Sequence, residues 1–139
     1  KEITPQSLIK IYDSLGIELK GKVAVKISTG EPGGHNFLNP NLIKNLVNKL
    51  NGTLVETCTG FNVGKRYNPE VHWQTFEDHG FKSIAPCDLL DEDGTINLPV
   101  TGGDHLHGYC IVGDHIKNYN STLVKRWLWG CPKKCKHWI

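Results

Sequence analysis

Two short apolar runs, Lys22–Ile27 (KVAVKI) and Thr53–Thr57 (TLVET), are separated by a stretch in which Leu42, Ile43, Leu46, Val47 and Leu50 recur at helical spacing. Strand, helix, strand at this spacing implies a crossover connection, which makes the two strands parallel neighbours in one sheet with the helix packed over it. The pattern extends in both directions. Residues Pro5–Ser14 place Leu8, Ile11 and Tyr12 on one helical face behind a Thr4-Pro5 start, and Gly16 closes the segment. A third helix is predicted from Asn68-Pro69 to about His79, followed by a short strand near Lys82–Ala85. Beyond the Asp93-Gly94 turn, Thr95–Val100 and His107–Val112 read as an antiparallel excursion. A helical turn near Asp114–Tyr119 then leads into a last strand, Asn120–Lys125. The fold class is therefore α/β: a mostly parallel, Rossmann-like sheet with helices on both faces.

Charge divides the chain unevenly. Residues 1–124 carry 11 Lys/Arg and 14 Asp/Glu, whereas residues 125–139 carry five basic residues and no acidic one. The net charge of +2 thus arises from a tail that also holds Trp127, Trp129, Trp138, Cys131 and Cys135. An acidic body without a broad basic face argues against nucleic acid as a partner, and a basic-tail nucleic-acid binder ranks last among the readings. No run reaches the roughly 18 apolar residues of a membrane helix, and the start KEITPQSLIK lacks a signal-peptide pattern. Five cysteines, an odd number without tight spacing, fit a reducing, cytoplasmic setting better than a disulfide scaffold.

In an open parallel sheet, ligands bind beyond the carboxyl ends of the strands, and two loops leave from there. The first, Ser28–Asn36, contributes Thr29, Gly30, Glu31, Gly33 and Gly34 and leads to a helix N-terminus, where backbone N–H groups can meet an anion. It is neither a dinucleotide fingerprint nor a P-loop. The second, Glu56–Arg66, contributes Thr57, Thr59, Gly64, Lys65 and Arg66, the two cations drawing an anionic group. Glu56 and His72 are the candidate acid–base pair, because a neutral imidazole near a carboxylate can move protons near neutral pH. His79, at the helix end, is read as a dipole partner.

Metal sites are weaker. His105 and His107 form the His-x-His pattern that metals favour, with His115 downstream, but spacing fixes no third ligand. Cys131 and Cys135 with His137 match no usual zinc spacing. No metal site is assigned, and a metal or 4Fe-4S accessory protein using Cys and His stands as the alternative function. Cys58, Cys87 and Cys110 read as small buried residues.

The runs VAVKISTGEPGGHNFLNP (Val23–Pro40), ETCTGFNVGKRYNPEVHWQTFEDHGF (Glu56–Phe81) and LPVTGGDHLHGYCIVGDHIKNYNSTLV (Leu98–Val124) resemble the DUF362 domain of prokaryotic proteins. The resemblance covers about residues 22–124 and implies an α/β domain with no settled activity, often accompanied by a 4Fe-4S ferredoxin module. It implies an iron–sulfur cluster in a neighbouring domain, none within this chain, and a ferredoxin-like module or a small anionic molecule as partner. After Leu123-Val124 the family would continue with a segment resembling Leu-Ser-His-Phe-Lys-Gly-His and a Gly-Phe-Gly-Gly-Ala-Leu-Lys-Asn motif. Here the chain instead reads Trp127–Ile139. A back-translation of that tail, moved by one base, yields Gly-Phe-Gly-Gly-Ala-Leu-Lys-Asn-Val-Ser-Ile-Gly. The expectation is an incomplete domain over 1–124 and a frameshifted tail over 125–139.

Overall fold

The computed structural model describes residues 3–60, 64–101 and 108–124. His105, His107 and the whole 125–139 segment, with Cys131, Cys135 and His137, lie outside the described residues.

Each α-helix begins the same way, with a capping side chain followed by proline. In α1 (Pro5–Ser14) the Thr4 hydroxyl accepts from the Ser7 N–H at 3.1 Å. In α2 (Pro40–Lys49) the Asn39 side chain accepts from Asn41 N–H at 2.9 Å, and in α3 (Pro69–Asp78) Asn68 accepts from Glu70 N–H at 2.8 Å. The cap fills an orphan donor, while proline at the first position has no N–H to leave unfilled.

Among the described residues, β1 (Val23–Lys26), β2 (Thr53–Glu56), β3 (Cys87–Leu89) and the last strand, Ser121–Val124, form one parallel sheet. With β4 (Thr95–Val100) and β5 (Gly108–Gly113) pairing antiparallel as a separate hairpin, the last strand is β6 and the sheet order is β3-β2-β1-β6. The order steps outward from β1 to β3 and then returns to the far side of β1, the reversal characteristic of Rossmann-like α/β sheets.

Alternation along the strands divides the core in two. Val23, Val25, Ile27, Leu54 and Leu89 pack beneath Ile43 and Val47 of α2 and Phe76 of α3, with Leu8 of α1 at the margin. Ala24, Val55 and Leu90 face the other way and meet Ile116 and Tyr119, from the 3-10 helix Asp114–Asn118 and its C-cap. Helices thus lie on both faces, α-helices on one and the 3-10 helix on the other.

One expected element shifts. Residues Lys82–Ala85 form no strand, because Phe81 and Lys82 N–H groups return to the Phe76 carbonyl and Ile84 N–H returns to Phe81. The ladder begins only at Pro86, whose carbonyl accepts from Leu54 N–H at 2.8 Å, so the strand is Cys87–Leu89.

Candidate functional site

Thr29, three residues past the end of β1, is the hub of the strand-end loops. It is fully buried, and its polar groups reach the end of β2 and two points on α3. Its N–H approaches Glu56 Oε1 at 3.4 Å, its hydroxyl lies 2.9 Å from His72 Nε2, and its carbonyl accepts from His79 Nδ1 at 2.7 Å. A carbonyl only accepts, so the proton of His79 sits on Nδ1. That ring is stacked on Phe37 at 3.9 Å and 3°. His79, at the α3 C-cap where sequence placed a structural histidine, therefore fastens the end of α3 to the first loop.

Glu56 ends β2 and is 3% exposed, so its charge must be met from within. Oε2 accepts from Lys26 Nζ and from Thr57 N–H at 2.9 Å, and Oε1 accepts from an Arg66 guanidinium nitrogen at 3.2 Å. Arg66 also donates from Nε to Glu31 Oε1 at 2.7 Å, which holds the Glu31 carboxyl below the usual carboxylate range. Two carboxylates and two cations thus balance at the strand ends. Arg66, expected to draw an anion, shares its charge with Glu31 and Glu56, binding the two loops to each other.

His72 projects from α3 into this network and is fully buried. Burial pushes its pKa down, opposed by the nearby Glu56 carboxylate. Among the described residues its Nδ1 meets no hydrogen-bond partner, an unfilled group that costs stability where it stands. Because Thr29 and His72 are both enclosed, their pairing positions the first loop and does not present a proton at the surface.

The remaining candidates frame this centre. Gly30 is buried at φ +79°, where a Cβ would lie 2.8 Å from Phe37 Cβ, and Gly34 N–H closes the Glu31–Gly34 turn on the Glu31 carbonyl at 2.9 Å. Gly33 is exposed within that turn. Thr57 is half-buried beside Glu56, and Thr59 N–H donates to the Arg66 carbonyl at 3.2 Å. At Gly64, φ is +101° and a Cβ would meet Glu31 Oε2 at 2.9 Å. Lys65 N–H donates to Glu31 Oε2 at 3.2 Å while the residue itself is exposed. A cleft of about 440 Å³ opens beside the first loop, between the start of α2 and the end of α3. His35, Phe37, Asn41, His79 and Ser83 contribute to its wall.

Sequence spacing missed a second constellation. His115 Nδ1 lies 2.7 Å from Asp88 and Nε2 lies 2.8 Å from Asp93, while Tyr119 donates to the other Asp88 oxygen at 2.6 Å. The helical turn after β5 was legible, yet nothing local pairs His115 with residues more than twenty positions upstream. Cys58 sits near the site but carries no activated thiol, since burial and then Asp91 push it up to about 11.

Among the described residues, no three His, Cys, Asp or Glu side chains are grouped to hold a metal, and Cys58, Cys87 and Cys110 lie on separate elements. Compared with known proteins, the chain matches no family model, no curated protein and no solved structure.

Proposed function

We propose that the chain is a DUF362-like ligand-binding domain of a redox-associated protein, taking a small anionic molecule at the loops that follow β1 and β2. The observation that carries the ligand reading is the cleft between the α2 start and the α3 end, walled by His35 and His79. Through its other ring nitrogen His79 holds Thr29, so the cleft wall and the buried network are one rigid unit. Imidazole rings suit an anion's oxygens, and the exposed Lys65 on the second loop, whose own N–H is held by Glu31, adds positive charge to these loops.

On this reading Glu56 and His72 are positioning residues: Glu56 neutralises Lys26 and Arg66 where the loops meet, and His72 sets Thr29. The redox association rests on the sequence resemblance, with the 4Fe-4S cluster carried by a neighbouring ferredoxin-like module. The dispersed cysteines of the described residues supply no ligand set for one here.

Amide chemical shifts followed during titration with inorganic phosphate, pyrophosphate and citrate test the ligand reading. At least one anion is expected to move the Asn41 and Lys65 amides with half-saturation at or below about 1 mM, a binding free energy of at least roughly 4 kcal/mol. His35→Ala and Lys65→Ala, both at exposed positions, should weaken that anion without altering the fold. Unmoved amides with all three anions, or binding indifferent to both substitutions, would overturn the proposal.

A further inference from the structure

His115 is bonded through both ring nitrogens to carboxylates, at 2.7 Å from Asp88 and 2.8 Å from Asp93. A carboxylate in its ionised form only accepts, so both contacts are hydrogen bonds only when both nitrogens carry protons. Neutral imidazole must turn one lone pair toward an oxygen. The arrangement is thus complete for the imidazolium alone, and the two carboxylates raise the His115 pKa accordingly.

The ring sits where separate pieces of chain are joined. The His115 N–H donates to the Leu90 carbonyl at 2.9 Å and Asp114 N–H donates to Gly94 at 3.0 Å, which ties the 3-10 helix to the turn after β3. Gly113, at the base of the β4–β5 hairpin, approaches so closely that a Cβ there would lie 2.4 Å from the Leu90 carbonyl carbon. In the same turn Asp91 accepts the Cys58 N–H at 2.9 Å, reaching the second site loop. A cleft of about 350 Å³ lies along this join, with Cys58, Asp91, Ile111 and Ile116 in its wall.

We propose that Asp88, His115 and Asp93 form a pH-operated latch: while the imidazole is protonated it holds the 3-10 helix and the hairpin base against the turn after β3, and deprotonation releases them. The charged and titratable groups around the ring are consistent with this. Asp88 comes from β3 and Asp93 from the turn, and Asp114 on the ring's own element is paired to Lys117. Tyr119 donates to Asp88, and Lys22 lies over the Tyr119 ring at 4.9 Å. Glu92, beside Asp93, accepts from Trp73 at 2.8 Å. Asp93 is 74% exposed against 19% for Asp88, which Tyr119 also holds, so the Asp93 contact is the one that opens first.

The latch gives way toward alkaline pH. A raised folded-state pKa means that its contribution is complete below the open-state value and is lost as pH rises through the latched value. Between those two points, opening should increase tenfold for each pH unit.

Hydrogen exchange of the Asp114, His115 and Cys58 amides in the full chain, corrected for intrinsic rates, tests this alongside NMR titration of the His115 ring. The ring should titrate above about 6.5, and protection should fall over the pH interval that the titration defines. Asp93→Asn, at an exposed site, should lower the titration point and shrink the fall, and His115→Gln should abolish the pH dependence. Protection that stays level across the interval, or that falls equally in His115→Gln, would refute the latch. If His115→Gln does not fold, the Asp93→Asn comparison decides alone: an unchanged titration point and an unchanged fall count against the proposal.

Discussion

The Thr29 hydroxyl and His72 Nε2 lie 2.9 Å apart in a fully buried contact that joins the loop after β1 to the first half of α3. Through it the first loop is held by an imidazole whose other nitrogen meets no partner among the described residues. The pair is therefore a tightly placed support with no slack to absorb the loss of either member.

Thr29→Val keeps the side-chain shape but removes the hydroxyl, taking away the partner that His72 Nε2 has among the described residues. A loss of about 1–3 kcal/mol is expected, the cost of one more unfilled buried polar group, measured as a lower urea midpoint with unchanged slope.

Acidification should act through His72. Burial lowers its folded pKa, so the stabilisation from keeping it neutral is present above the unfolded value near about 6.5 and is lost as pH falls through the folded value. Urea midpoints compared between wild type and His72→Gln at neutral and mildly acidic pH should show the wild type losing more on acidification. Parallel losses would remove His72 from the account.

Glu56→Gln strips the charge that Lys26 and Arg66 share at a position 3% exposed. Breaking one member of a buried ionic network leaves uncompensated charge, and about 3 kcal/mol of destabilisation is expected in equilibrium unfolding. Because Arg66 also holds Glu31, amide exchange at Lys65 should quicken in the same variant.

Gly30 and Gly33 both have left-handed backbone, at φ +79° and +74°, yet they differ in surroundings. At Gly33 a Cβ would meet nothing within 4 Å, so Gly33→Ala should cost only the backbone preference of about 1 kcal/mol. At Gly30 it would press on Phe37, the ring that stacks on His79, so Gly30→Ala should cost clearly more and weaken the His79 contact to Thr29. Equal thermal stabilities of the two variants would contradict the close packing described for the first loop.

The Cys58 thiol is pushed up to about 11 and Cys87 up to about 12, chiefly by burial. Thiolate is the reacting form, so in native protein at neutral pH both should be alkylated far more slowly than in urea-unfolded protein, as followed by mass spectrometry of peptides containing each residue.

Much of the fold is local in origin and for that reason legible in the chain. Thr4-Pro5, Asn39-Pro40 and Asn68-Pro69 start helices because cap and proline act within one turn. The runs around Val25 and Leu54 become parallel neighbours because a helix-length segment joins them. Lys82–Ala85 misled because its apolar content belongs to the turn that closes α3, where Ile84 is buried without entering the sheet. The strand starts instead where Pro86 meets Leu54.

The site is different, since its contacts span long sequence separations and side-chain direction at a loop has no periodicity to read. Sequence brought Thr29, Glu56, Arg66 and His72 to the strand ends as residue types. Only the tertiary structure decided that Thr29 would bind Glu56, His72 and His79 at once, that Arg66 would be held by Glu31 and Glu56, and that His115 would lie between Asp88 and Asp93. The physical reason is burial: once the sheet and helices exclude water, each polar group must find its partner among whatever side chains the packing has brought within reach.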